Sequence, residues 1–277
     1  ALGDHEAFRA AVLLALLGVA GGARAEEGAY LEEHAQVGAQ APIEGVARLE
    51  QYPFAVVVDP STPGRGTLNL ASAVGVGSGI SADRPIPVVL QNAGPSTRLS
   101  LGYGVTSSLE SLAEVTAFSS NGSTVASAML GMKLQLTSPD SPWRGAVMAG
   151  ALREGVGGAY GMWGRAAGSW GTGPLLVEVN GYVERVFAAG RDSIDYAFMG
   201  GASWRLLDWV RAGAEYVGQD LEEMGARGAE GGARQAIGPS VALNLDRGRY
   251  QFVAATLFGV GARSPTALVR VGLLGSF

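Results

Sequence analysis

The stretch ALVRVGLLGSF (267–277) alternates to its last residue. Val269, Val271, Leu273 and Phe277 take every second position, with Gly275 between the last two, while Arg270, Gly272 and Ser276 fall on the other parity. Successive side chains of a strand point to opposite faces, so this stretch reads as one strand with a greasy face. Most soluble domains finish in a few frayed, solvated residues. Here the final aromatic side chain reads as part of the last structural element.

The same period of two runs upstream. In RLSLGYGV (98–105), Leu99, Leu101, Tyr103 and Val105 alternate with Arg98, Ser100, Gly102 and Gly104. In LLVEVNGYVER (175–185), Leu175, Val177, Val179 and Val183 oppose Glu178, Asn180 and Glu184. Counting back from Phe277, the pattern predicts twelve strands, near 67–77, 96–106, 109–118, 125–137, 143–153, 159–170, 175–186, 193–204, 209–218, 236–245, 249–260 and 266–277. Most exceed the roughly five or six residues usual in soluble sheets. They match the roughly nine to eleven that a tilted strand needs to cross a bilayer.

Short connections, read as TSS (106–108), SPDSP (138–142), GTG (171–173), RLLD (205–208) and DRGR (246–249), alternate with longer ones such as 78–95 and 219–235. Tyr103, Trp143, Trp170, Trp204, Trp209 and Tyr250 all lie beside short turns. Amphipathic rings gathered there predict one interfacial aromatic girdle. Trp163, mid-strand, departs from that rule.

Composition narrows the class. Gly contributes 43 of 277 residues, about twice the usual share. Charged residues make up 16% and the net charge is −5, without the basic stripe of a nucleic-acid binder. With no cysteine, disulfides and thiolate metal sites are excluded. Residues 1–25 place Arg9 before the apolar run AAVLLALLGVA and the small-residue site ARA, the plan of a cleaved export signal with Glu26 as first mature residue. The apolar run is roughly half the ~20 residues of a membrane-spanning helix.

Alternation, export signal and terminal Phe together resemble the Gram-negative outer-membrane β-barrel superfamily over about residues 67–277. The resemblance implies an all-β fold, a closed antiparallel up-and-down transmembrane β-barrel of about 12 strands, located in the cell outer membrane. It also implies that the barrel-insertion machinery reads Phe277, Leu273 and Val271, although Gly275 stands where an aromatic is common. If FAVVV (54–58) and IPVVL (86–90) enter the sheet, the count becomes 14. A soluble sandwich or lipocalin-like barrel would carry the same alternation with its apolar faces turned inward.

With apolar faces towards lipid, the lumen receives Arg98, Glu110, Glu114, Lys133, Arg144, Arg165, Glu178, Glu184, Asp195, Arg211, Glu215 and Arg270, six of each sign. These charges form either a hydrophilic pore or an ion-paired, closed interior. Their balance argues against strong ion selectivity. Abundant inward Gly and Ala argue for open space. Residues 26–64 read as a periplasmic extension or plug, the solvated extension being favoured because Pro and Gly breaks leave little core.

Catalysis finds no support. The only histidines, His5 and His34, precede the barrel, so its usual general base is missing. GAEGGAR (228–234) lacks the Lys of a phosphate loop. Calcium on Asp220, Glu222 and Glu223 is weakly supported. The sequence therefore predicts no cofactor, no resident metal and no nucleic acid. Expected partners are outer-membrane lipid, the insertion machinery and small solutes. The function read from it is a channel for small hydrophilic or amphipathic solutes, with a structural or surface-interaction barrel as the alternative.

Overall fold

All twelve alternating segments are strands in the computed structural model, each beginning and ending within a few residues of the sequence reading. They are β1 (Leu68–Gly79), β2 (Gly94–Gly104), β3 (Leu109–Ser120), β4 (Ser123–Gln135), β5 (Trp143–Arg153), β6 (Tyr160–Thr172), β7 (Leu175–Val186), β8 (Asp195–Leu207), β9 (Val210–Gln219), β10 (Arg234–Leu245), β11 (Tyr250–Val260) and β12 (Pro265–Ser276). The structure describes residues 55, 57–79, 94–120, 123–138, 141–189, 194–221, 233–246 and 249–277. The export signal, residues 26–54 and IPVVL (86–90) lie outside the described residues.

Each strand pairs antiparallel with its sequence neighbours, and β12 pairs with β1, closing the barrel. Leu68 and Phe277 exchange backbone hydrogen bonds of 2.9 Å each at the join. Closure matters because hydrocarbon offers no partner to a free backbone N–H or C=O. The ladder loosens at one interior place. Pro239 has no N–H to donate, and the β10–β11 register passes from Ile237↔Phe258 to Ser240↔Ala255 without pairs between.

Short connections share one rim. The turns read as GTG and RLLD are tighter than the sequence suggests, because Thr172 and Leu207 still belong to strands. Only Gly173–Pro174 joins β6 to β7, and Gly173 takes the left-handed φ of 55° that such a tight reversal requires. At the opposite rim, long connections such as 220–233 mix with brief ones at 121–122 and 261–264.

The apolar faces point outward, opposite to a soluble sandwich or lipocalin. Leu99, Leu130, Met132, Val179, Val241 and Val269 are all exposed on the outer face, Leu130 at 64%. Leaving each such side chain in water forfeits about 1.5–3 kcal/mol, so this surface is suited to acyl chains. Tyr103, Trp143, Trp204 and Trp209 are exposed at the short-turn rim, Trp143 lies 5.7 Å from Trp170, and Tyr250 lies 6.1 Å from Phe277. Sequence reading missed a second belt at the other rim, where Tyr160, Phe187, Tyr196 and Phe258 are exposed.

The inner face is not only polar and small. Met129, Met148, Leu152, Met199, Val217, Leu257 and Leu268 are buried on it and form an internal apolar cluster with Trp163 and Tyr182. The wall is made of twelve strands, and the described part of FAVVV lies inside the barrel instead of extending the sheet to 14.

Candidate functional site

All twelve charges assigned to the lumen fall on the inward parity of their strands, and register decides which of them meet. Lys133 sits directly across from Glu110 and forms a buried ion pair with it. The row continues through Met148 to Arg165 and Tyr182, each opposite the next. Arg165 lies over the Tyr182 ring at 5.4 Å, and Tyr182 stacks on Trp163 at 6.2 Å. The Tyr182 hydroxyl donates to Glu184 at 2.8 Å. Glu184 faces Asp195 across the β7–β8 ladder. On the far side, Ser100 donates to Glu114 at 2.9 Å, while Arg211 donates to Ser203 and to the Pro174 carbonyl. Arg98 and Glu114 lie within electrostatic reach of Arg165, and Arg98 within that of Arg270.

Trp163 turns inward, and two glycines make room for it. Gly150 is its cross-strand partner and Gly131 is the partner of Gly150. A Cβ on Gly131 would stand 2.5 Å from the indole. The indole N–H points at the carbonyls of Leu130 and Ala151, at 3.3 and 3.2 Å. Strand parity alone could have found this inward tryptophan, but not its glycine bed, which needs the register.

The N-terminal segment contributes the least expected feature. The favoured sequence reading was a solvated extension, yet Ala55, Val57, Asp59, Pro60, Thr62 and Pro63 are buried, and the segment is hydrogen-bonded to the inner wall. Ala55 N–H donates to the Glu215 carboxylate at 2.9 Å. Val58 is held twice by Asn180, which accepts from its N–H at 2.7 Å and donates to its carbonyl at 2.9 Å. Thr62 donates its N–H to Gln135 at 2.9 Å and its hydroxyl to the Ser107 carbonyl at 2.8 Å. Arg144 donates to Ser61 at 2.9 Å and stands 3.8 Å from Asp59, which is fully buried. Burial raises the Asp59 carboxyl above its usual value, and the Arg144 guanidinium opposes that rise. From Thr62 the chain leaves the lumen at the short-turn rim, where Gly66 N–H donates to Gly104 at 2.8 Å before β1 begins. The described part of the segment thus lies inside the barrel, bonded to side chains of β4, β5, β7 and β9.

Beside it lies a cavity of about 150 Å³. Its walls include Val57, Leu112, Met129, Met148, Trp163, Val253 and Leu274, with Arg98, Glu110, Glu114, Lys133 and Arg165 among the polar groups. The space exists because β1 and its neighbours offer Ala71, Ala73, Gly102 and Gly272 to it instead of long side chains. Asp220, a calcium candidate, stands 3.3 Å from Arg234, and Glu222 and Glu223 lie outside the described residues. No cluster of three metal-ligating side chains occurs among the described residues.

No family model matches the chain, and no curated protein matches it in sequence. In three dimensions it is similar to an outer-membrane channel from Pseudomonas putida F1, with a TM-score of 0.56 at 10% identity over 81% of this chain and 99% of that one. The KdgM porin follows at 0.49 and 11% identity, over 76% of this chain and 99% of the porin. The chain thus shares its barrel fold with the Pseudomonas channel.

Proposed function

We propose that this protein is an outer-membrane channel for small hydrophilic or amphipathic solutes, with residues 55–64 acting as a plug. The carrying observation is that the lumen is occupied by a segment bonded to the wall through side chains, without joining the sheet. Such an occupant can leave while the wall stays intact. The belts of aromatics at both rims and the apolar band between them support insertion in a bilayer. The fold it shares with a channel agrees with this reading.

Transport here needs no chemical step. The two histidines of the sequence both precede the barrel, and of the inward carboxylates near the plug Glu110 is paired with Lys133 and Glu215 accepts from the Ala55 N–H. The twelve inward charges supply a wet, balanced lining once the plug is displaced.

A structural barrel with a closed lumen is the second reading. It is favoured by the complete burial of Met199, Val217, Leu257 and Gln219 on the inner face. Single-channel recording in planar bilayers separates the two. Deletion of residues 26–63 is expected to raise conductance and open time relative to the full chain. Silence from both proteins, each shown to be folded by heat-modifiable migration, overturns the channel reading.

A further inference from the structure

The cavity beside the plug has walls of two kinds. Its apolar side, made by Met129, Met148, Trp163 and Val253, could not hold a fully hydrated solute without stripping its water. Its charged side holds three cations, Arg98, Lys133 and Arg165, against two carboxylates, Glu110 and Glu114. Lys133 and Glu110 are matched to each other. That leaves two guanidinium groups around Glu114, whose second oxygen already accepts from Ser100. Arg165 and Glu114 lie within electrostatic reach of each other.

Arg165 is the least satisfied of these groups. It is only 7% exposed, its Nε has no hydrogen-bond partner among the described residues, and Glu114 Oε1 is likewise unpartnered. Its cation rests on the Tyr182 face, and Tyr182 is stacked on Trp163, so the guanidinium is held beside the apolar wall with donor capacity left over. A buried donor left unmade is costly, the more so when charged. A ligand oxygen that satisfies it recovers that cost.

We infer that this cavity is a binding site for a small amphipathic monoanion, its carboxylate received by Arg165 and Arg98 and its flat apolar body lying against Trp163, Met129 and Met148. The volume of about 150 Å³ suits a body the size of one benzene ring. The inference rests on the channel reading and narrows it, by naming the solute class that would pause on the way through.

Isothermal titration of the purified full chain in detergent tests it with three probes of one shape: benzoate, benzyl alcohol and benzylamine. Benzoate is expected to bind saturably and about tenfold or more tighter than the other two. Arg165→Gln is expected to remove that preference while leaving benzyl alcohol binding unchanged, and Arg165→Lys to restore part of it. If Arg165→Gln does not fold, Arg98→Gln carries the same expectation. Equal binding of the three probes, or a benzoate preference that survives both Gln variants, overturns the site. Conductance is recorded separately. A conducting barrel blind to benzoate refutes the site and spares the channel, whereas a silent barrel that prefers benzoate does the reverse.

Discussion

Asn180 holds the Val58 peptide at both ends, its amide oxygen 2.7 Å from the N–H and its amide nitrogen 2.9 Å from the carbonyl. One side chain thus stands in for the strand that the plug lacks. Replacing it by Ala strands a donor and an acceptor in the lumen, at about 1–3 kcal/mol. Asn180→Ala is expected to raise open probability in planar bilayers by about tenfold or more, with unit conductance unchanged. An unaltered open probability would remove Asn180 from the latch.

Acidity should tighten the plug. Asp59 has a raised carboxyl pKa when seated, so the seated state binds a proton more readily than a released segment does. Seating is therefore favoured fully below the ordinary value of 3.8 and loses that contribution as pH rises through the seated value. The groups around it are Arg144 and, further off, Lys133, Glu110 and Glu178. Open probability is expected to fall on acidification from pH 7 towards 4, and Asp59→Asn to flatten that response. A wild-type-like pH profile in the Asn variant would assign the effect elsewhere.

The outer face makes a depth-dependent demand. Leu130 and Val241 lie towards the middle of β4 and β10, whereas Trp143 begins β5 at the rim. Lys at either mid-strand position is expected to cost about 2–4 kcal/mol in unfolding from lipid, against about 0–1 kcal/mol for Trp143→Lys. Equal losses at the three sites would contradict an apolar band.

The glycine bed of Trp163 gives a contrast between two glycines. Gly131→Val would drive a branched side chain into the indole and the Ala149 carbonyl, both within 2.6 Å of the new Cβ. A loss of about 1–3 kcal/mol is expected, with a shift in tryptophan emission. Gly181, with nothing within 4 Å of its Cβ position, should accept Val within about 0.5 kcal/mol. Denaturant melts of the two variants in detergent decide it.

The terminal ring is expected to matter for assembly in cells. The Phe277 ring packs on Tyr250, and Arg249 lies 5.6 Å from both rings. Phe277→Ala is expected to cut the yield of membrane-assembled barrel in cells while the same variant still refolds in detergent. Equal loss in both settings would mean a stability effect instead of a lost insertion signal.

Strand number and facing were legible because the period of two is a local property. RLSLGYGV and LLVEVNGYVER each sort their own residues without knowledge of any neighbour. Parity likewise sent all twelve charges inward. What the sequence could not supply was register and threading. Nothing in the string brings Glu110 opposite Lys133, or puts Gly131 and Gly150 beneath Trp163. The burial within residues 55–63 was illegible for a related reason. Pro and Gly breaks do leave the segment without a core of its own, but the barrel wall lends it one through Asn180, Gln135 and Glu215.

The join between β1 and β12 has a consequence for timing. Asn69 meets Ser276 across 207 positions of chain, so β1 must wait for almost the whole polypeptide before its second edge is covered. Until then it is a sticky template for any passing strand. A chain held short of β12 should accordingly aggregate through this edge, and one that has closed should not.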